Sequence, residues 1–360
     1  MAMLCAFDVH RSQITYKWLR QESGQVRRGR IVPACRSAVC EWLEGLDLDG
    51  EVHVVLEGTT GWRFIVEELH RAGAVAYVAE PAETAARRGP KRRAKTDGRD
   101  CDLMLGLLEE GRVPLSWIPP GHILELRTLV RLRKRLTEDR TSWQQRIHAQ
   151  LFHQGVPPGL KLRTTAGRAG LAAAVLSDAG RVVAGTGLGV IDHLDGLLEP
   201  LDRWLAAYAK TQPGCYALIE ELYGVGWTVA VVIVAELGDC RRFSSSDQAV
   251  RAAGIDVTVS ESNGKRAAGR LSHQGPPVLR WALFEAAQAS ARASSPDHAY
   301  YQQVRDRIDH NRACLAVARK LTRRAHHILR RLGDQAMAAP TTDQLPELPN
   351  GLHTLTLQAA

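Results

Sequence analysis

Polar and apolar positions alternate along the first part of the chain and then give way to helical spacing. Residues 3–9 (MLCAFDV) are a short apolar run ending in an acid, and alternation over 13–18 and 26–32 brackets a turn at Glu22-Ser23-Gly24. A period of two marks strands with one buried face, so a three-strand meander is predicted here. Residues 37–46 and 61–72 carry apolar positions at helical spacing, while 52–56 and 74–79 are short buried strands, the first running into Glu57. A dense basic loop follows, then a helix over about 96–110. From Ile123 apolar residues recur at helical spacing (Leu126, Val130, Leu132, Leu136, Ile147, Leu151) until Gly-Val-Pro-Pro-Gly at 155–159 breaks the pattern. Helical character resumes over 190–208, a plausible second arm of a hairpin, with 161–181 left unassigned.

Prolines 114, 119 and 120 place a boundary near residue 117. The predicted order before it, βββαβαβ and a final helix, is that of an RNase H-like fold: an antiparallel meander followed by parallel strands crossed over by helices. The expected architecture is an α/β N-terminal domain (1–117), a long helical linker (118–210), a mostly α-helical C-terminal domain (211–337) and a Pro- and Thr-rich tail (338–360). Within the last domain, Leu222-Tyr-Gly-Val-Gly-Trp227 precedes an apolar helix, 244–247 caps another, 260–269 reads as a polar loop, 277–290 as an apolar-faced helix and 300–332 as a basic helical region.

Composition changes this picture in two ways. A formal charge of +8 over 360 residues and a pI near 9.3 favour a polyanionic partner, because cations that neutralise phosphates release condensed counterions. Seven scattered cysteines with no C-x-x-C pair argue against a disulfide frame or a zinc knuckle and read as reduced thiols. No apolar run has the length of a membrane span, so a cytoplasmic, nucleoid-associated protein is expected.

Four acids are candidates for chemistry. Asp8 ends the first strand and Glu57 the fourth, neighbours in the proposed sheet. Asp97 and Asp100 are three apart on one helical face, whereas Asp102 is turned roughly 140° from Asp97 and is a bystander. Acids in apolar strands are costly unless paired or metal-bound, and converging carboxylate oxygens suit Mg²⁺ for two-metal phosphodiester chemistry. The loop Arg87-Arg88-Gly-Pro-Lys91-Arg92-Arg93-Ala-Lys95 beside them would repel itself unless a polyanion or carboxylates balanced it, and phosphate binding is its natural use. Further basic sets lie on the long helix (Arg127, Arg131, Arg133, Lys134, Arg135, Arg140) and near the end (Arg319, Lys320, Arg323, Arg324, Arg330, Arg331), implying more than one nucleic-acid surface. The Gly224-x-Gly226 turn presents backbone N–H groups at a helix start, where a phosphate can bind, and Lys265, Arg266 and Arg270 add cations to the polar loop. His10 could help order the acids; His326-His327 has no companion ligands.

Taken together, Phe7-Asp8-Val9, Leu56-Glu57-Gly58-Thr59-Thr60-Gly61, Lys95-Thr96-Asp97-Gly98-Arg99-Asp100, Tyr223-Gly224-Val225-Gly226, Ala235-Glu236-Leu237-Gly238-Asp239, Arg242-Phe243-Ser244-Ser245, Ala253-Gly254-Ile255, Glu261-Ser262, Gly269-Arg270-Leu271-Ser272 and Leu279-Arg280-Trp281-Ala282-Leu283 resemble the insertion-sequence 110 family of transposases. The resemblance implies a RuvC-like domain with a DEDD acid set at Asp8, Glu57, Asp97 and Asp100, a coiled-coil linker used in oligomerisation to a dimer or tetramer, and a C-terminal transposase domain. It also implies a nucleophilic serine at Ser262 and guidance by a bridge RNA that pairs with target and donor DNA. The family's glycine after that serine is Asn263 here, which leaves Ser260 and Ser272 as lesser rivals. The expected function is therefore a DNA transposase or recombinase. Its alternatives are a structure-specific, Holliday-junction-type nuclease using only the acids and water, and a non-catalytic nucleic-acid scaffold.

Overall fold

The computed structural model describes residues 2–46, 50–87, 97–258, 261–262, 265–266, 269–340 and 345–347. The chain divides into two compact units, Met1–Ile118 and Pro119–Ala360.

In the first unit a five-stranded mixed sheet has the order β3-β2-β1-β4-β5. Its strands are β1 (Ala2–Val9), β2 (Ile14–Arg20), β3 (Val26–Ile31), β4 (Glu51–Glu57) and β5 (Val75–Ala79). The meander β1-β2-β3 is antiparallel, and β4 and β5 add in parallel beside β1. Alternation sorts the side chains onto two layers. Met3, Cys5, Phe7, Tyr16, Trp18, Val54 and Leu56 face helices α1 (Arg36–Glu44) and α2 (Trp62–Arg71), where Val39, Leu43, Ile65 and Leu69 complete a core. Leu4, Ala6, Val55 and Ala79 face the opposite way, onto Cys101, Met104 and Leu105 of the helix Asp97–Glu109. Each large aliphatic side chain so buried contributes about 1.5–3 kcal/mol, and a one-residue slip would exchange the two faces, which holds the register. Between β5 and that helix lies a short α3 (Pro81–Ala86), which the spacing did not suggest; Pro81 at its first turn has its φ preset for a helix and its missing N–H unneeded. The helix Asp97–Glu109 is α4.

Among its described residues the second unit is helical apart from one small hairpin. Helix α5 (Gly121–His153) and helix α7 (Asp178–Thr211) lie side by side, with α6 (Thr165–Ala173) between them in sequence. Their pairings run antiparallel and seven residues apart: Arg133 with Asp202 (2.6 Å), then Arg140 with Asp195 (2.6 Å). Farther along, Ile147, Leu151, Leu162, Leu171, Ala184 and Ile191 form a small core. Helix α7 starts twelve residues before the apolar periodicity suggests, at residue 178 rather than 190. Its first turns are rich in glycine, which weakens the helical signal, yet Ser177 Oγ caps Gly180 N at 3.1 Å and the absence of a side chain at Gly187 lets Ile147 pack close.

Beyond this pair come α8 (Pro213–Glu221), α9 (Trp227–Leu237), a 3-10 turn (Cys240–Arg242), α10 (Ser246–Ala252), the two-residue strands β6 (Glu261–Ser262) and β7 (Lys265–Arg266), α11 (Pro277–Gln288), α12 (His298–Arg307) and α13 (His310–Leu332). Apolar on all sides, α9 is buried from Val229 to Leu237 and packs on α5, α7, α8 and α11. The basic region near the end is two helices rather than one, because Asp309 accepts from Arg312 N at 2.7 Å and caps a new start. No helix among the described residues is long and apolar enough to cross a membrane.

Candidate functional site

The sheet brings two of the four acids together at one end. Phe7 of β1 is in register with Leu56 of β4, so the next residues, Asp8 and Glu57, stand at the ends of adjacent parallel strands. Alternation puts both on the face of Ala6 and Val55, the face that packs against α4. Asp100 belongs to α4, one residue before Cys101, whose buried thiol donates to Thr15 O at 3.4 Å. Burial first, then the negative charge of Asp8, with Asp102 and Asp100 adding to it, pushes that thiol up to about 12. Asp8 is partly buried, and His10 Nε2 lies 3.2 Å from Asp8 Oδ2 with its ring half exposed. Asp97 opens α4, and its side chain lies outside the described residues.

Asp102 leaves this group, accepting from Lys17 Nζ at 2.5 Å and Arg28 Nη2 at 2.9 Å. Among the described residues no group of three or more His, Cys, Asp or Glu side chains is arranged to hold a metal ion. The donors that the sheet and α4 assemble are hard carboxylate oxygens, suited to Mg²⁺ or Mn²⁺ rather than to zinc. Beside them Thr15 Oγ1, in register with Asp8, is buried with no hydrogen-bond partner among the described residues, a polar atom that a bound water or ligand would satisfy.

Of the basic loop, Arg88, Lys91, Arg92, Arg93 and Lys95 fall outside the described residues. Arg87, at the end of α3, is exposed and donates to Arg112 O. The two helical basic sets require a correction, since most of these cations are committed within the unit. Arg127 and Arg131 meet the buried Glu236 of α9, Arg131 in bidentate fashion at 2.7 and 2.8 Å. Arg133 and Arg140 pair with Asp202 and Asp195 on α7, and Lys134 with Glu138. On α13, Arg319 donates to Ile255 O, Arg330 to Phe243 O, Lys320 and Arg324 to the buried Asp297, Arg323 to Asp247 and Arg331 to Glu221. Spacing along one helix shows the cations but not acceptors brought in by the fold.

In the second unit the expected polar loop is partly a hairpin. Val257 bridges Leu271, Thr258 N donates to Arg270 O at 2.8 Å, and Ser262 pairs with Lys265 nearer the tip. The residues between the short strands are Asn263 and Gly264, a dipeptide that favours two-residue hairpin turns and was the available signal. Ser262 therefore sits immediately before the tip, with Lys265 and Arg266 on the opposite strand and the exposed Arg270 toward the base. Ser272 Oγ is engaged with Asp256 Oδ1, and Ser260 falls outside the described residues. The Gly224-x-Gly226 turn joins α8 to α9. Gly224 has φ +84°, and a Cβ there would meet Ala286 O at 2.6 Å, so glycine is needed for the turn and for close packing on α11. Gly226 caps α9 with open space around it.

Two family models match the chain. The IS110 DEDD transposase model covers residues 5–154, and the model of the IS116/IS110/IS902 transposase family covers residues 216–302. The chain belongs to the IS110 family of transposases. The first match contains Asp8, Glu57, Asp97 and Asp100, and the second contains Ser262 and the glycine turn. Among characterised relatives, the transposase for insertion sequence element IS1111A of Coxiella burnetii (strain RSA 493 / Nine Mile phase I) is 27% identical over 130 residues. That stretch is 35% of this chain and 35% of the relative, so the match spans about a third of the relative's length.

Proposed function

We propose that this IS110-family chain is a DNA transposase that cuts and rejoins strands through Asp8, Glu57, Asp97 and Asp100 in the first unit and Ser262 in the second. The observation that carries the reading is the placement of Asp8 and Glu57 at the ends of adjacent parallel strands, on the sheet face covered by the helix that begins with Asp97 and Asp100. The strand order β3-β2-β1-β4-β5 supports an RNase H-like, RuvC-like fold for this unit. The four carboxylates would hold divalent metal, best Mg²⁺, which supplies charge stabilisation at the reacting phosphate.

Ser262 Oγ attacks phosphorus and the bond from phosphorus to the leaving sugar oxygen breaks. The serine proton leaves to a base and the departing sugar oxygen gains one, so a phosphodiester is exchanged for a protein–DNA diester with no net hydrolysis. A sugar hydroxyl of the second strand reverses the step and rejoins DNA. The N–H groups of the Gly224-x-Gly226 turn, together with Arg87, Arg88, Lys91, Arg92, Arg93, Lys95, Lys265, Arg266 and Arg270, contact the phosphates of element ends and target. The paired α5 and α7 serve as a coiled-coil linker for assembly of a dimer or tetramer, and the positive charge accommodates a bridge RNA as guide.

The test is covalent trapping. Full-length protein incubated with DNA from the flanks of its own element, with Mg²⁺ and its copurified RNA, should leave a protein–DNA adduct that Ser262→Ala abolishes. Strand exchange by Ser262→Ala would overturn the serine assignment, and cleavage without an adduct would favour water-dependent hydrolysis by the acids alone.

A further inference from the structure

The sheet register carries a charged row that the acid set does not use. Asp8 pairs with Thr15 and Thr15 with Arg30; the neighbouring row is Ala6, Lys17 and Arg28. Residues in register across adjacent strands share a face, so Arg30 and Arg28 lie on the same side of the sheet as Asp8 and Glu57. Strand spacing puts the Arg30 backbone roughly 10 Å from that of Asp8. The two arginines differ in occupation. Arg28 is pinned with Lys17 on Asp102, whereas Arg30, level with Asp8, is exposed and engages no acceptor among the described residues. Thr15, between Asp8 and Arg30, holds the buried orphan hydroxyl.

Cations on an edge strand also discourage edge-to-edge pairing, and Arg27, exposed on the opposite face of β3, serves that purpose equally well. What separates Arg30 from Arg27 is the face it shares with the acids. We propose that Arg30 holds a backbone phosphate of the DNA strand that is cut at the acid set, close to the scissile phosphate. The assignment rests on the acid set being the cutting site, and DNA rather than RNA is the occupant because the row is level with the carboxylates that act on DNA.

The experiment measures binding by the full-length protein in chelator, so that cleavage plays no part. Fluorescence anisotropy with a labelled DNA duplex is followed from about 50 to about 200 mM salt. Arg30→Gln should lower the slope of log affinity against log salt by about 0.9, so that the advantage of the unsubstituted chain shrinks about 3.5-fold over that range. Arg30→Lys should keep the slope, and Arg27→Gln should leave it unchanged. An unchanged slope in Arg30→Gln overturns the proposal, as does an equal fall in Arg27→Gln, a fall seen only with a labelled RNA hairpin, or the absence of duplex binding by the unsubstituted chain. Because no metal is present, the outcome is separable from the catalytic reading: a chain that binds through Arg30 but cuts nothing counts against the acid set, not against this contact.

Discussion

The buried carboxylate of Glu236 offers a stability test of how the second unit is held together. Its side chain is 1% exposed at the end of α9 and faces two arginines of α5. Arg131 chelates it at 2.7 and 2.8 Å, while Arg127 stands 3.5 Å away and donates to Ala235 O at 2.7 Å, satisfying a carbonyl left over at the end of α9. Burial lowers the proton affinity of Arg127, and the charge of Glu236 works against that effect. Replacing Glu236 with alanine leaves the largely buried Arg127 without its counter-charge, a loss of about 3–5 kcal/mol for breaking a buried pair. For a unit of this size that lowers the midpoint of thermal unfolding by roughly 6–20 °C. Arg131 is 55% exposed, and its truncation leaves Arg127 facing the carboxylate, so Arg131→Ala should cost only about 1–2 kcal/mol. Circular dichroism at the helical band, scanned in temperature and in urea, reads both variants. Equal destabilisation by Arg131→Ala and Glu236→Ala, or a Glu236→Ala midpoint within about 1 °C of the parent, would refute the reasoning.

Two further outcomes follow. Cys35, at the start of α1, has its thiol pKa lowered by hydrogen bonds from the Ser37 hydroxyl and the Ala38 N–H, so its thiolate, and its alkylation by iodoacetamide, should rise at lower pH than for a free thiol. Cys5, Cys101, Cys215, Cys240 and Cys314 are buried and should react only on unfolding; peptide mapping after labelling at pH 8 checks both. Gly185 of α7 has open space where a Cβ would go, so Gly185→Ala should stabilise by about 0.5–1 kcal/mol. At Gly167 of α6 a Cβ would lie 2.1 Å from Lys161 O, and Gly167→Ala should destabilise by about 1–3 kcal/mol, both read by urea titration.

The sheet was legible because alternation is a local signal: 3–9, 13–18 and 26–32 became β1, β2 and β3 with shifts of a residue or two. The hairpin of α5 and α7 was legible only in part, since Gly185, Gly187 and Gly189 suppress helix propensity while the close approach of Ile147 that Gly187 permits is a packing contact that spacing does not reveal. The basic helices misled for the same physical reason. Arg131 and Arg133 read as free cations until the chain brings in Glu236 and Asp202, 105 and 69 residues away. Around the acids, the placement of Asp8 and Glu57 follows from strand ends, whereas the orphan hydroxyl of Thr15, the buried thiol of Cys101 and the Arg30 row needed the register. The Asn263-Gly264 dipeptide is a hairpin signal in the sequence, and the strands on either side of it, Glu261–Ser262 and Lys265–Arg266, pair accordingly.

The central claim, that these acids share divalent metal, is tested most directly by calorimetric titration of the full-length protein with Mn²⁺. Binding should be lost in Asp8→Asn, Glu57→Gln and Asp100→Asn and kept in Asp102→Asn, whose carboxylate is committed to Lys17 and Arg28. An Asp8→Asn isotherm that overlays that of the unsubstituted protein would contradict the claim.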